Sequence, residues 1–369
     1  MIDTVALTLD HGLFFITKPQ LFSPSLDVYS KKYVQNPTAA DYRAGRYKPC
    51  LTLYNYGGAG SKKQRLRIQF SLPKLLFGNN IDEVGGDDFD RSLSVLQTVL
   101  VDMGVKVFST ILEHAKVSVL HICKNIPLSD HYTASLVINE LRKIAAPKRF
   151  DTNIRDFRND GLALYFYNAS HSVILYDKIA DLKKPKARAI DKEKTLMQLN
   201  MFDILESRKQ ELLRLEIRFQ TKKKLDSTIQ QFGFPSGITF RQIFSNKLCS
   251  AILSQYWTQY LLPFTGFSMF ANKSGLVPFS ELVRLGFSAN DAMLVYGFQN
   301  LISDVGIHGI QAIFNANYCQ KTWDRLEKKM KKLTDTIVPQ HGNPPWVGMI
   351  ETRLNSTTAL RLERIGLGR

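Results

Sequence analysis

Apolar and polar positions alternate from the first residue. MIDTVALTLDHGLFFITK predicts short strands over residues 2–9 and 13–17, and the Pro-, Ser-, Asn- and Tyr-rich stretch from Gln20 to Tyr47 predicts irregular structure. Cys50–Tyr56 and Arg65–Phe70 predict a hairpin across GGAGSKKQ. That Gly-rich connection lacks the spacing of a phosphate loop and leads into a strand, so its glycines read as turn residues. SLPKLLFGNN ends an element at Gly78-Asn79-Asn80, and helical spacing follows over Asp90–Val107. Lys116–Cys123 predicts a strand, and Ser129 predicts the cap of a helix running to about Ala146.

Two β-rich runs, Leu162–Asn168 and Ser172–Tyr176, flank an Asn-Ala-Ser-His turn. A charged helix over about Asp191–Lys209 and the strand Glu211–Phe219 complete a mainly antiparallel sheet with helices packed on it, an α+β domain over residues 1–235. From Thr239 the pattern turns helical, over Phe240–Leu262, Phe279–Leu285, Asn290–Ser303 and His308–Thr334, with breaks at Pro263, Gly286 and Gly306. The boundary falls near Phe234-Pro235-Ser236-Gly237, giving an all-helical C-terminal domain over 236–338 and a loosely held tail over 339–369. Gly286 and Ser288 give the segment around them the form of a helix-turn-helix, but such pairs occur in any helical bundle, and simple packing is the reading preferred over it.

Composition adds a partner and a compartment. With 44% hydrophobic and 22% charged residues the chain reads as globular, and 49 Lys+Arg against 33 Asp+Glu leave a formal charge of +16. That excess points to a polyanion, nucleic acid first. There is no basic leader with an apolar core and no uninterrupted apolar run long enough for a membrane helix, so no membrane partner is expected. Cys50, Cys123, Cys249 and Cys319 form no C-x-x-C pair, which argues against a zinc ribbon or disulfide framework and for a reducing cytoplasm.

Chemistry centres on the hairpin that ends in Tyr176-Asp177-Lys178. Residues two apart on a strand share a face, so the Tyr176 phenol and Lys178 ammonium are expected side by side, as nucleophile and phosphate-binding cation of a phosphodiester-transferring enzyme. The same spacing fits a solvated sheet edge. His121 and Cys123 alternate on one strand and can share a divalent metal, or be a core histidine and a small buried hydrophobe. Glu216 lies between Arg214 and Arg218 on one strand face, which reads either as an exposed charge ladder or, if that face carries Tyr176, as a metal-binding carboxylate with two phosphate-binding arginines. Basic runs over Lys178–Lys194, Arg208–Lys224 and Lys321–Lys332 bracket these strands.

SKKQRLRIQFSLPKLLFGNN, LYFYNASHSVILYDKIADL and LLRLEIRF together resemble the replication initiators of the filamentous-phage gene II type, which start rolling-circle replication of phage or plasmid DNA. The resemblance runs from Met1 to about Phe234, and its element order is similar to the wider HUH endonucleases. It implies that Tyr176 nicks one strand at an origin and becomes joined to its 5′ end, with Lys178 as companion, and that the nick is later rejoined. It implies a divalent metal, Mg2+ or Mn2+, on ligands drawn from His121, Cys123, Glu216 and Gln69. DNA contacts are expected from Lys74, Lys183, Lys184, Arg214 and Arg218. Origin DNA, a host helicase and a host polymerase are the implied partners in a bacterial cytoplasm, and an oligomer is compatible with this. Acids common in the family at the positions of Gln69 and His121 are replaced here, so the metal site is expected either to be reorganised toward His121 and Glu216, losing activity below about pH 6 as His121 protonates, or to be impaired. The alternatives are a catalytically decayed DNA-binding replication regulator on the same fold and an RNA-binding protein without chemistry.

Overall fold

The computed structural model describes residues 1–25, 32–56, 63–128, 132–144, 161–185, 188–190, 211–262, 277–341 and 344–362. Ser129, Pro263, the expected turn residues at 57–62 and the expected helix over Asp191–Lys209 lie outside the described residues. The protein is α+β. Its strands in chain order are β1 (Ile2–Asp10), β2 (Phe15–Ile16), β3 (Ser23–Pro24), β4 (Lys32–Gln35), β5 (Cys50–Tyr56), β6 (Lys63–Ser71), β7 (Val105–Lys106), β8 (Lys116–Leu128), β9 (Ala163–Tyr167), β10 (His171–Asp177) and β11 (Glu211–Phe219). Nine form one antiparallel sheet in the order β3-β4-β5-β6-β1-β8-β11-β10-β9, and β2 pairs with β7.

Period-two alternation gives the sheet two chemically different faces. On β11, Leu213, Leu215, Ile217 and Phe219 join the main core, while Arg214, Glu216 and Arg218 point the other way. Ile122 and Ile126 of β8 and Val173 and Leu175 of β10 face the core too. The helices Ala134–Ile144, Asn246–Tyr256 and Pro345–Asn355 cover that apolar face. Among the described residues no helix is long and apolar enough to cross a membrane.

Several local readings need revision. The stretch expected to be irregular contributes β3 and β4, too short for a period to register, and Pro24 is tolerated because β3 is an edge. β8 runs five residues beyond its expected end, to Leu128, because Lys124 and Asn125 are fully buried and paired. Residues before Asn246 form turns until Ser245 caps a helix there by accepting from the Leu248 amide at 3.2 Å. Gly306, at φ 70°, interrupts the helix Ala289–Asn317 where a break was expected, and a separate helix spans Gln320–His341.

The closing segment corrects the expectation of a loose tail. Trp346, Val347, Ile350 and Leu354 of the helix Pro345–Asn355 are buried in the same core cluster as β1 and β8. Past this helix, the carbonyls of Ser356 and Thr358 accept from Lys124 Nζ at 2.8 and 2.9 Å. Pro339, Pro344 and Pro345 suggested a loosely held tail, but Pro345 starts a helix, where its missing amide costs nothing. The expected boundary near 235 is likewise crossed by core: Ile238, Phe240 and Ile243 are fully buried, and the Val117 amide donates to the Ile238 carbonyl at 2.9 Å.

Candidate functional site

Tyr176 is the penultimate residue of β10 and sits opposite Arg214 of β11. Across β11, Glu216 faces Cys123, Arg218 faces His121 and Arg214 faces Asn125 of β8. The register therefore sets the two expected chemistry-bearing strands beside the His121 strand with their polar positions on one face. The Tyr176 hydroxyl donates to Glu216 Oε2 at 3.2 Å, and Arg218 Nε donates to Glu216 Oε1 at 2.7 Å. His121 Nδ1 lies 3.8 Å from Glu216 Oε1.

A third ligand comes from a residue the sequence reading passed over. Asp3, His121 and Glu216 each present a ligand atom within 4.8 Å of the others. β1 carries one extra residue against β8, Ile2 pairing with Ile122 and Val5 with Leu120, and this bulge lets the consecutive residues Asp3 and Thr4 both line the cavity. The available signal was a carboxylate set in an otherwise apolar strand start. Thr4 Oγ1 donates to Asp3 Oδ2 at 3.0 Å, and Arg214 Nη1 stands 4.0 Å from Asp3 Oδ1.

These groups line a cavity of about 200 Å³ that spans the sheet from Cys50 of β5 to Tyr176 of β10. Gln69 and Ser71 of β6 line it, as does Lys74, which is buried. Lys74 is held by the short helix Leu72–Phe77, whose end is fixed by Gly78 in the left-handed conformation at φ 69°, with the Gly78 amide donating to the Lys74 carbonyl. Tyr47 and Asn80 complete the wall, and the Tyr47 hydroxyl accepts from the Ser71 amide at 2.6 Å.

Not every expected site residue is brought to this cavity in its expected role. Lys178 is the first residue of the helix Lys178–Lys183, capped by Asp177, and the chain has left strand geometry there. Its buried Nζ lies 3.8 Å from Asp181 and 5.8 Å from the centroid of the Tyr176 ring, packing beside the ring and not among the cavity residues. Cys123 is outside the three-residue ligand group. Its Sγ is 3.8 Å from the N-terminal nitrogen, and burial pushes its thiol pKa up, away from the thiolate that a metal needs. Gln69 lines the cavity without belonging to that group. Lys183 is exposed and Lys184 half-buried at the end of their helix, outside the cavity. Arg214, expected as a DNA contact, is 1% exposed, with Nε donating to Asn125 Oδ1 at 2.7 Å and Nη2 to the Asn80 carbonyl.

The electrostatics follow from burial beside fixed arginines. Burial alone would raise the Glu216 pKa, but the charge and hydrogen bond of Arg218 bring it down to about 2. His121 is lowered to about 3, first by burial and then by Arg218, against the opposing effect of Glu216. It is therefore neutral at physiological pH and its lone pair is available. Burial raises the Tyr176 phenol well above its ordinary value, so the hydroxyl carries its proton. Two carboxylates and a neutral imidazole are a donor set suited to a divalent cation, and the second acid makes it harder than His121 with Cys123 would be.

Compared with protein-family models, with curated proteins and with solved structures, the chain matches none of them.

Proposed function

We propose that the protein is a DNA strand nicking and joining enzyme in which Tyr176 is the nucleophile, a rolling-circle replication initiator acting on one strand of a phage or plasmid origin. The observation that carries this reading is the 3.2 Å hydrogen bond from the Tyr176 hydroxyl to Glu216, a carboxylate that shares one ligand group with Asp3 and His121. A buried tyrosine that merely packs needs a single hydrogen-bond acceptor. Here it opens onto a cavity with three potential metal ligands and the cations Lys74, Arg214 and Arg218.

In the proposed reaction the Tyr176 hydroxyl passes its proton to its acceptor Glu216 as its oxygen forms a bond to phosphorus, the bond from phosphorus to the 3′ oxygen breaks, and the 5′ end stays on the protein as a phosphotyrosine. The leaving 3′ oxygen takes up a proton to become a primer for a host polymerase, with a host helicase opening the duplex. Asp3, His121 and Glu216 would hold a divalent cation, Mg2+ or Mn2+, which when bound polarises a non-bridging phosphate oxygen. Arg218, tied to Glu216 and still 20% exposed in its side chain, adds positive charge where the phosphate becomes more negative. Reversal by a 3′ hydroxyl restores the phosphodiester and frees Tyr176, so joining needs no nucleotide cofactor. Incubation with supercoiled origin plasmid, with and without Mn2+, tests the reading: nicked circles with protein on the 5′ end are expected, and intact plasmid under both conditions overturns it.

A further inference from the structure

The residue that faces Asp3 is held by a relay that begins in the last described segment of the chain. Glu83 is 1% exposed and accepts from three directions: Arg353 Nη2 at 3.2 Å, the Leu360 amide at 2.8 Å and the Asn125 amide at 2.5 Å. Asn125 uses all of its polar groups. Besides that amide, its carbonyl accepts from Arg353 Nε at 3.1 Å, its Nδ2 donates to the Ile81 carbonyl at 2.6 Å, and its Oδ1 accepts from Arg214 Nε at 2.7 Å. Arg214 is thereby fixed on one side by Asn125 and on another by the Asn80 carbonyl, and Nη1 faces Asp3 Oδ1.

A buried arginine needs acceptors wherever it sits, so hydrogen bonding alone assigns no role. The direction of this relay says more. Asn125 orients the guanidinium from behind, through an amide whose own rotamer is set by Ile81, and the edge left over meets one of the three potential metal ligands. An aspartate on a bulge has rotamer freedom, and a cation fixed near one oxygen selects the orientation in which the carboxylate stands with His121 and Glu216.

We propose that Asn125 and Arg214 are positioning residues for Asp3, and that the docking of residues 353–360 on Glu83 completes the metal site from a distance. This rests on the reading of Asp3, His121 and Glu216 as metal ligands. Arg353 is the outermost member of the relay and touches both Glu83 and Asn125, so the C-terminal segment acts on the site without contacting it.

Direct titration of the full-length protein with Mn2+, followed by calorimetry or by the spin resonance of the free ion, tests this without relying on DNA cleavage. Wild type is expected to bind. Asn125→Ala should weaken Mn2+ affinity by up to about 10-fold, the low end of the loss on removing a direct partner of a metal ligand, because it reaches Asp3 only through Arg214, and Arg353→Ala should weaken it in the same direction by less. Asn125→Asp keeps the acceptor for Arg214 but sets a carboxylate against the Ile81 carbonyl, so it should recover only part of the affinity that Asn125→Ala loses. Ile350→Val thins the same helix without touching the relay, and should lower the melting temperature while leaving affinity unchanged. Should Asn125→Ala not fold, Arg353→Ala beside Ile350→Val decides alone. Equal affinity loss in those two, or wild-type affinity in Arg353→Ala and Asn125→Ala, would overturn the positioning role while the metal site stands. A wild-type protein that binds no Mn2+ would overturn the metal site and the relay together.

Discussion

Tyr176 and Glu216 stand forty positions apart in the chain, on adjacent antiparallel strands, and the phenol of one donates to the carboxylate of the other at 3.2 Å. They are not directly opposite, since Tyr176 pairs with Arg214 and Glu216 with Ile174, so the contact runs diagonally across two rungs. Glu216 thereby touches the proposed nucleophile through one oxygen and Arg218 through the other. Replacing either partner separates contributions that a single strand could not couple.

Tyr176→Phe removes the reacting oxygen and keeps the ring that packs with Ala163, Ile174 and Ile190. The stability cost should be that of one hydrogen bond to a charged group, about 1.5–3 kcal/mol. DNA binding should persist. A strand labelled downstream of the nick should remain attached to wild type after denaturation and not to the variant, and a free 5′ phosphate from wild type would make water the nucleophile.

Asp3→Asn should lower Mn2+ affinity by more than about tenfold, since loss of even an outer-shell partner produces that much. Cys123→Ser should leave affinity near wild type, because the thiol lies outside the ligand group. Titration of both variants checks this, and the reverse order would return the site to the His121 and Cys123 pair.

Activity loss below about pH 6 was the expectation from protonation of His121, and the half-buried ring beside Arg218 revises it. In the folded protein His121 titrates at about 3 against an ordinary 6.5, so between those values only the unfolded chain takes up the proton. Stability should therefore fall as pH drops from about 6.5 toward 3, by at most about 1.4 kcal/mol per pH unit for one proton. Glu216, at about 2 against 4.5, contributes stability that is complete above 4.5 and lost toward 2, which has the same sign. Melting curves should be flat in this respect above pH 7, and His121→Gln should remove the part of the decline between 6.5 and 4.5. Mn2+ affinity should show no step at pH 6 from His121.

Two kinds of cation should respond differently. Lys183→Ala with Lys184→Ala, outside the cavity, should flatten the salt dependence of DNA binding, where each phosphate contact contributes a log-log slope near −0.9 on duplex, and leave the melting temperature nearly unchanged. Arg214→Ala should instead cost about 3–5 kcal/mol, because Asp3, Asn125 and the Asn80 carbonyl lose a buried partner. Binding isotherms at several salt concentrations, read beside thermal melts, separate the two.

Trp346→Ala should cost about 3–5 kcal/mol, the range for emptying a large core site. Trp346 is fully buried and its Nε1 donates to Glu140 Oε2 at 2.9 Å. A melting temperature equal to wild type would mean that the closing helix is dispensable.

The strands that matter were legible as local pattern. Alternation marked Glu211–Phe219, the hairpin before Tyr176 and the strand through His121, and it put Arg214, Glu216 and Arg218 on one face, because a period of two is a property of the extended backbone alone. Which face that was, and what lay beside it, depended on which strands pair and in what register. That is settled by the burial of Leu213, Leu215, Ile217 and Phe219 against helices distant in sequence. The bulge that delivers Asp3 leaves no mark in the apolar pattern, and the departure of Lys178 from the strand follows from Asp177 capping a helix instead of continuing the sheet. Lys124 and Glu83 drew no reading from the sequence, and Arg214 read either as part of an exposed ladder or as a phosphate contact. Only the tertiary structure, by supplying each with buried partners, turned those residues into the inner frame of the site and the closing segment into part of the core.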